Sequence, residues 1–175
     1  PRPFDLLYWN ADQTNIPGEV HRKYLKDCYA DNKLAQGQFE VLGDVVDLKQ
    51  VDIPVMVQAS RDDHICPMES VYRTAKVYGG KTQFILAASG HIAGVVNHPD
   101  ANKYCHWTNN AALPETGAEW LEGAEEHAGS WWPTWWAWLR PKSGRKGAAK
   151  QPKDMGLGAA PGRYARVRLE DIKLG

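Results

Sequence analysis

Two runs of mostly apolar residues, Ile53-Pro54-Val55-Met56-Val57-Gln58-Ala59 and Gln83-Phe84-Ile85-Leu86-Ala87-Ala88, stand out from an otherwise mixed chain. Each is short and bounded by polar or turn-forming residues, which is the pattern of a buried strand. Residues 67–79 between them read as a helix opened by Pro67 and closed near Gly79. A strand, a helix and a second strand of this length form a crossover unit, which lays the two strands side by side and parallel.

The flanks are less regular. From Pro17 to about Leu34, the positions Val20, Tyr24, Leu25, Cys28 and Tyr29 recur at three- and four-residue steps, one face of a helix. Residues 39–42 and 45–48 read as a small hairpin with a Gly43-Asp44 turn. Residues 98–114, dense in Asn, His and Pro, read as loop, and residues 117–127 as a short helix carrying Glu119, Glu122, Glu125 and Glu126. Five tryptophans then fall within residues 131–139, and a helix opened by Pro133 puts Trp132, Trp135, Trp136 and Leu139 on one face. Such a helix either packs on the body or offers indole rings to a hydrophobic polymer or granule surface; pattern alone supports both.

Charge changes the picture at the carboxyl end. Residues 1–139 hold 11 Lys and Arg against 18 Asp and Glu, whereas residues 140–175 hold 10 against 3, so a zero net charge hides an acidic body and a basic tail. The stretch 140–162 is rich in Gly, Ala, Lys and Pro and has almost no large apolar side chains, so burial cannot offset its ordering entropy and a flexible extension is expected. The segment 163–169 alternates polar with less polar residues and is expected to rejoin the body as an edge piece. The tail's basic residues are scattered and Tyr164 is its single aromatic, so no nucleic-acid partner is expected. No run has the length of a transmembrane segment, and the start lacks a secretory pattern. Three cysteines, Cys28, Cys66 and Cys105, lack paired spacing, which fits a reducing, cytoplasmic setting.

The chemistry sits just past the two strands, in Ser60-Arg61-Asp62-Asp63-His64-Ile65 and Ser89-Gly90-His91-Ile92-Ala93-Gly94. Asp63 and His91 are 28 residues apart, room for one helix and one strand, so parallel strands bring both loops to one sheet edge. A histidine base needs an exposed ring and a carboxylate that fixes its tautomer, and this pair meets both needs. Asp62 competes for the acid's role, and His64 is a possible neighbour that supports the pair from the same loop. Equally, Asp63 is placed to cap the helix near Pro67 while His91 fills a turn. A metal site from His64, Cys66, His91, Cys105 and His106 lacks the close pair spacing of zinc sites, so no metal is expected. No glycine-rich loop cradles a phosphate. Neither a Gly-x-Ser-x-Gly nor a Gly-x-Cys-x-Gly box occurs, and Cys66 reads as a small packing residue. The chain is thus expected to be α/β, the carboxyl-terminal half of an α/β-hydrolase fold: late parallel strands with crossover helices, acid and histidine present, nucleophile missing.

These residues resemble the class I polyhydroxyalkanoate synthases, cysteine enzymes on an α/β-hydrolase fold. The similar stretches are Pro3-Phe4-Asp5-Leu6-Leu7-Tyr8-Trp9-Asn10-Ala11-Asp12-Gln13-Thr14-Asn15-Ile16-Pro17-Gly18, then Ser60-Arg61-Asp62-Asp63-His64-Ile65, then Gly90-His91-Ile92-Ala93-Gly94-Val95-Val96-Asn97. The pairs Asn102-Lys103 and His106-Trp107, the Trp-rich segment and Pro161-Gly162-Arg163-Tyr164 are similar as well; residues 140–160 are not matched. The resemblance implies residues 1–139 as the end of the catalytic domain, with about 4–48 including a mobile cap segment, and 140–175 as a basic tail.

The resemblance also implies polymerisation of (R)-3-hydroxyacyl-CoA into a polyester with release of CoA. His91 would activate a cysteine lying upstream of this chain, and Asp63 would help activate the 3-hydroxyl of the incoming unit. No cofactor is implied. The partners are the acyl-CoA, the polyester, the remainder of the synthase with its nucleophile, and a second copy in a homodimer, at a granule surface in the cytoplasm. Without the nucleophile the isolated chain is expected to be inactive. The competing readings are a non-catalytic fragment that binds granules or a partner through its tryptophans, and another esterase of the same fold.

Overall fold

The computed structural model describes residues 10–11, 13–149, 156, 158–160, 162–163 and 166–168. In chain order it builds α1 (Gly18–Lys23), a π-helical continuation (Tyr24–Ala30), β1 (Phe39–Val41), β2 (Asp44–Val46), β3 (Val55–Ser60), α2 (Met68–Ala75), β4 (Thr82–Ala87), β5 (Cys105–Thr108), α3 (Gly117–Glu122), β6 (Glu125–Ala128) and α4 (Trp132–Leu139). The chain divides into two units, residues 1–138 and 139–175.

The four-stranded sheet has the order β3-β4-β5-β6. β3 and β4 are parallel, with Val55 opposite Thr82 and Ser60 opposite Ala87, and α2 lies between them in the chain. β5 and β6 run antiparallel, Leu86 facing Trp107 and His106 facing His127. The sheet is therefore mixed, and the fold is α/β. β4, paired on both sides, is buried from Phe84 to Ala87 on both its faces. One face of it carries the core: Phe84 meets Tyr72 of α2 edge-on at 5.1 Å and Trp120 of α3 at 4.8 Å, with Leu86, Ala59, Ala75, Ala88 and Trp107 completing the cluster. Perpendicular ring pairs of this kind add to the area they bury.

Helix α3 starts with a reciprocal cap. The Thr116 hydroxyl accepts from the Glu119 amide at 3.2 Å, and the Glu119 carboxylate accepts from the Thr116 amide at 3.1 Å. A Glu69 carboxylate oxygen on α2 accepts from the Gly117 amide at 3.1 Å, tying the two helices together. Among the described residues, no helix is long and apolar enough to cross a membrane.

Several sequence expectations are corrected. Residues 98–114 contain a strand, β5, hidden in sequence because its polar members are satisfied internally: His106 contacts the Gly129 carbonyl and Thr134, and Thr108 contacts His127. The helix expected over 117–127 ends at Glu122, where Gly123 breaks it, and Glu125–Ala128 forms an edge strand whose exposed glutamates suit an unpaired sheet edge. The hairpin turn is Leu42-Gly43, both at positive φ (52° and 92°), rather than Gly43-Asp44; two left-handed residues match the strand twist. The face of Val20, Tyr24, Leu25 and Tyr29 is not covered, Tyr29 being 83% exposed. In the second unit Arg140–Lys142 forms one 3₁₀ turn and residues 143–149 carry no regular element. In the alternating segment 163–169, the described residues 163 and 166–168 carry no strand, so the expected edge piece is not seen there, while residues 164, 165, 169 and most of the opening residues 4–15 lie outside the described residues.

Candidate active site

The two chemistry-bearing loops leave β3 and β4 together. The ladder runs on past the strand ends: the Arg61 amide donates to the Ala87 carbonyl at 2.8 Å and the Asp62 amide to the Ser89 carbonyl at 3.0 Å. Ser89 takes a left-handed backbone (φ 78°), uncommon for a residue with a side chain, and this bend turns the chain out of the sheet just before His91. Gly94 then returns so close to the end of β3 that a methyl group on it would collide with the Ser60 hydroxyl and lie 2.8 Å from the Gly90 carbonyl. Only glycine fits there.

Asp63 is held by both of its oxygens. Oδ1 accepts from the Ile65 and Cys66 amides, each at 2.9 Å, and Oδ2 lies 2.8 Å from His91 Nδ1. The aspartate therefore organises the turn into α2 and faces the histidine at once. It does not cap α2, whose N-cap is Pro67 with no side-chain hydrogen bond. The Cys66 amide, with smaller contributions from His91 and the Ile65 amide, holds the Asp63 carboxyl below its ordinary range against the opposing effect of burial. A carboxylate can only accept, so Nδ1 of His91 carries the proton and the lone pair is on Nε2. The Asp63 side chain is 7% exposed and that of His91 44%. The pair thus presents a fixed, solvent-facing imidazole, the arrangement a general base needs.

Asp62 is turned away. It pairs with Arg61 Nε at 3.1 Å, and the Arg61 guanidinium lies 5.0 Å from the centre of the Trp107 ring. His64 is exposed on the same loop, outside the Asp63–His91 bond. Of the residues weighed in sequence as metal ligands, His64, Cys105 and His106 are not part of the cluster; Cys66 joins Asp63 and His91 within 4.8 Å. Cys66 is exposed, so its reading as a packing residue is corrected: the turn that Asp63 organises before Pro67 places it outside the core. Cys28 and Cys105 are half-buried in the π-helix and in β5.

Sequence reasoning missed the support of the histidine loop. The Trp131 indole N–H donates to the Gly94 carbonyl at 3.0 Å, and that of Trp132 to the Val95 carbonyl at 2.9 Å. The signal was present: an indole has one polar atom needing an acceptor, and the loop after His91 has carbonyls to spare. The packing alternative therefore holds for Trp131, just before α4, and Trp132 at its start, while Trp135 and Trp136 remain 38% and 51% exposed.

No family model matches the chain. Among curated relatives it is 47% identical over 175 residues to a poly(3-hydroxyalkanoate) polymerase subunit PhaC from Cupriavidus necator, with 96% of this chain and 29% of the relative covered. It is 46% identical to the protein of that name from Rhizobium etli, covering 96% and 27%. A poly(3-hydroxyalkanoate) polymerase 2 from Ectopseudomonas oleovorans is 38% identical, covering 96% and 30%. The chain belongs to the poly(3-hydroxyalkanoate) polymerase family. It matches the carboxyl-terminal part of these polymerases and spans under a third of their length. Within that part lie the Asp63–His91 pair, both loops that carry it and the tryptophans that hold the second loop.

Proposed function

We propose that this chain supplies the acid and base of a polymerase that joins (R)-3-hydroxyacyl units from CoA thioesters into a polyester. The observation that carries the reading is the Asp63 Oδ2 to His91 Nδ1 bond of 2.8 Å, with Asp63 Oδ1 already committed to two loop amides. A tautomer fixed in this way leaves Nε2 free to take a proton, and the family's name supplies the polymer. A thioester substrate suits a thiolate nucleophile, which a histidine base generates readily. That cysteine is placed on a part of the polymerase outside these residues.

Each step in this reading uses the same base. Nε2 of His91 removes the proton from the cysteine thiol; the thiolate adds to the thioester carbonyl, and CoA leaves as its thiol with the proton returned by His91. The 3-hydroxyl of the next unit then loses its proton at the same base and attacks the acyl-enzyme carbonyl, lengthening the polyester and freeing the cysteine. Asp63 stabilises the imidazolium formed each time. Through the imidazole it helps to activate that hydroxyl, in line with the role the family resemblance implies.

The finer architecture is part of the same reading. β3 is the open edge of the sheet, where further parallel strands of an α/β-hydrolase would add, and the uncovered face of Val20, Tyr24, Leu25 and Tyr29 suits a cap segment over the site. Exposed Ile65, Ile92 and Val96 lie on the two loops that carry the pair and suit burial against the rest of the enzyme. Trp135 and Trp136 are the surface offered to the polymer granule, with the enzyme acting as a cytoplasmic homodimer.

The test is replacement of His91 by Ala in the polymerase that carries this chain. CoA release from an (R)-3-hydroxyacyl-CoA should fall by about a thousandfold or more, with folding retained, since base removal costs on the order of 10²–10⁴. Retained turnover with a large loss of thermal stability would make the histidine structural.

A further inference from the structure

Cys66 is the residue of the acid loop that the Asp63–His91 pair leaves unused. Its amide donates to Asp63 Oδ1 at 2.9 Å, and that bond folds the loop so that the thiol comes back toward the carboxylate. A carboxylate oxygen of Asp63, Sγ of Cys66 and a ring nitrogen of His91 all lie within 4.8 Å of one another. Cys66 and His91 are exposed, so a solute reaches the thiol and the imidazole directly, with the largely covered Asp63 carboxylate beside them.

The donor set is selective. A thiolate, an imidazole and one carboxylate suit a borderline-soft divalent ion, whereas calcium and magnesium require oxygen donors throughout. Zinc binds sulfur near 2.3 Å and nitrogen or oxygen near 2.0–2.2 Å, which places tetrahedral donors about 3.3–3.8 Å apart. Closing from 4.8 Å asks for about 1 Å of movement, well within rotation of an exposed cysteine side chain. Three protein donors leave a fourth position for water.

We propose that Asp63, Cys66 and His91 form a site for a thiophilic divalent cation, zinc in the first instance, and that the bound cation withdraws His91 from proton transfer. Cys66 supplies the ligand that makes the site selective. Binding rests on donor geometry alone; its consequence for turnover rests on the acid–base reading above. A cation that is also held by Asp63 takes the place of the proton on Nδ1 of His91, so the ring's proton sits on Nε2 instead. The imidazole then has no lone pair left to act as a base, and removal of the cation restores it.

The experiment is titration of the reduced 175-residue chain with Co²⁺, read by the thiolate-to-cobalt charge-transfer absorption, followed by displacement with Zn²⁺. One cation per chain is expected. Cys66→Ser should abolish the absorption and weaken Zn²⁺ binding at least tenfold, His91→Ala should weaken it comparably, and Cys28→Ser and Cys105→Ser should change neither. Circular dichroism of each variant separates lost binding from lost folding. The site is overturned if Cys66→Ser binds as the native chain does, if Cys28→Ser or Cys105→Ser removes the absorption, or if no cation binds. In the polymerase that carries this chain, the ratio of CoA release without and with Zn²⁺ should be large for the native protein and near one for Cys66→Ser. Binding to the chain with no inhibition of the polymerase would overturn the consequence and keep the site.

Discussion

The indole N–H of Trp132 donates to the main-chain carbonyl of Val95 at 2.9 Å, four residues past His91. With Trp131 on Gly94, the start of α4 and the residue before it fasten the loop that presents the imidazole. Phenylalanine at both positions keeps most of the ring area and removes both donors, each worth about 1 kcal/mol net. Trp131→Phe/Trp132→Phe should therefore raise amide hydrogen exchange in the His91 loop, the Gly94 and Val96 amides first, with little change in the β3–β4 strands. Uniform exchange across loop and sheet in native and variant alike would mean that the indoles do not hold the loop.

Gly94 is the loop's point of closest approach to β3, against Ser60. Gly94→Ala has to push the loop away from the sheet, so the Asp63–His91 bond should lengthen or break. In an NMR spectrum the His91 Nδ1 proton should lose the downfield shift of a carboxylate-bound imidazole. A variant that keeps this signal would show that the backbone absorbs the methyl group elsewhere.

Phe84 is fully buried between Tyr72 and Trp120, and Phe84→Ala leaves a ring-sized cavity with no neighbour able to fill it. The cost should be about 3–5 kcal/mol, a large part of a small domain's stability, seen as a marked fall in the thermal midpoint. Trp120 is equally buried, and its indole N–H finds no acceptor among the described residues. Trp120→Phe removes that unpaired donor and should cost less than Phe84→Ala; the reverse order in denaturant titrations would contradict the packing described.

His106 is buried in β5 and stacked on His127 with ring centres 5.0 Å apart; burial, and to a lesser degree the neighbouring His127, push its pKa below the ordinary histidine value. The unfolded chain then takes up a proton at higher pH than the folded one. The stability is fully present above about pH 6.5 and falls as pH drops below it, by at most about 1.4 kcal/mol per pH unit for one group, until the folded histidine protonates. The carboxyls of Asp63 and Asp27 contribute in a lower window, because theirs are lowered and are lost only on acidification below the carboxylate range; Asp27, gripped by Lys23 and Lys33, is held at about 2. Thermal midpoints between pH 7.5 and 5.5 should fall for the native chain and stay nearly flat for His106→Gln. An equal slope in both would assign the effect to another group.

What could be read without coordinates follows a physical line. β3 and β4 were legible within two residues because both are mostly apolar runs between turn residues, and the start of α2 because Pro67 opens it, although the helix ends at Ala75 rather than near Gly79. The choice between Asp62 and Asp63 was not resolved by pattern; it depends on the Asp62 amide joining the ladder to Ser89 while Arg61 draws the Asp62 carboxylate aside. β5 and β6 were missed because their residues are polar and become strand-like only once His106, Thr108 and His127 bond to one another and to α4. The supporting tryptophans and Cys66 were missed for a related reason: their contacts join residues far apart in the chain, or depend on a loop shape set by backbone amides.

The central claim is that Asp63 and His91 work as one unit in the polymerase. A double-mutant cycle on CoA release, with Asp63→Asn, His91→Ala and both together in the polymerase that carries this chain, tests it most directly. The account predicts that each single variant is strongly impaired and that the double variant is no slower than His91→Ala alone, because the carboxylate acts through the imidazole. Effects that multiply, so that the double variant loses the product of the two single losses, would contradict it.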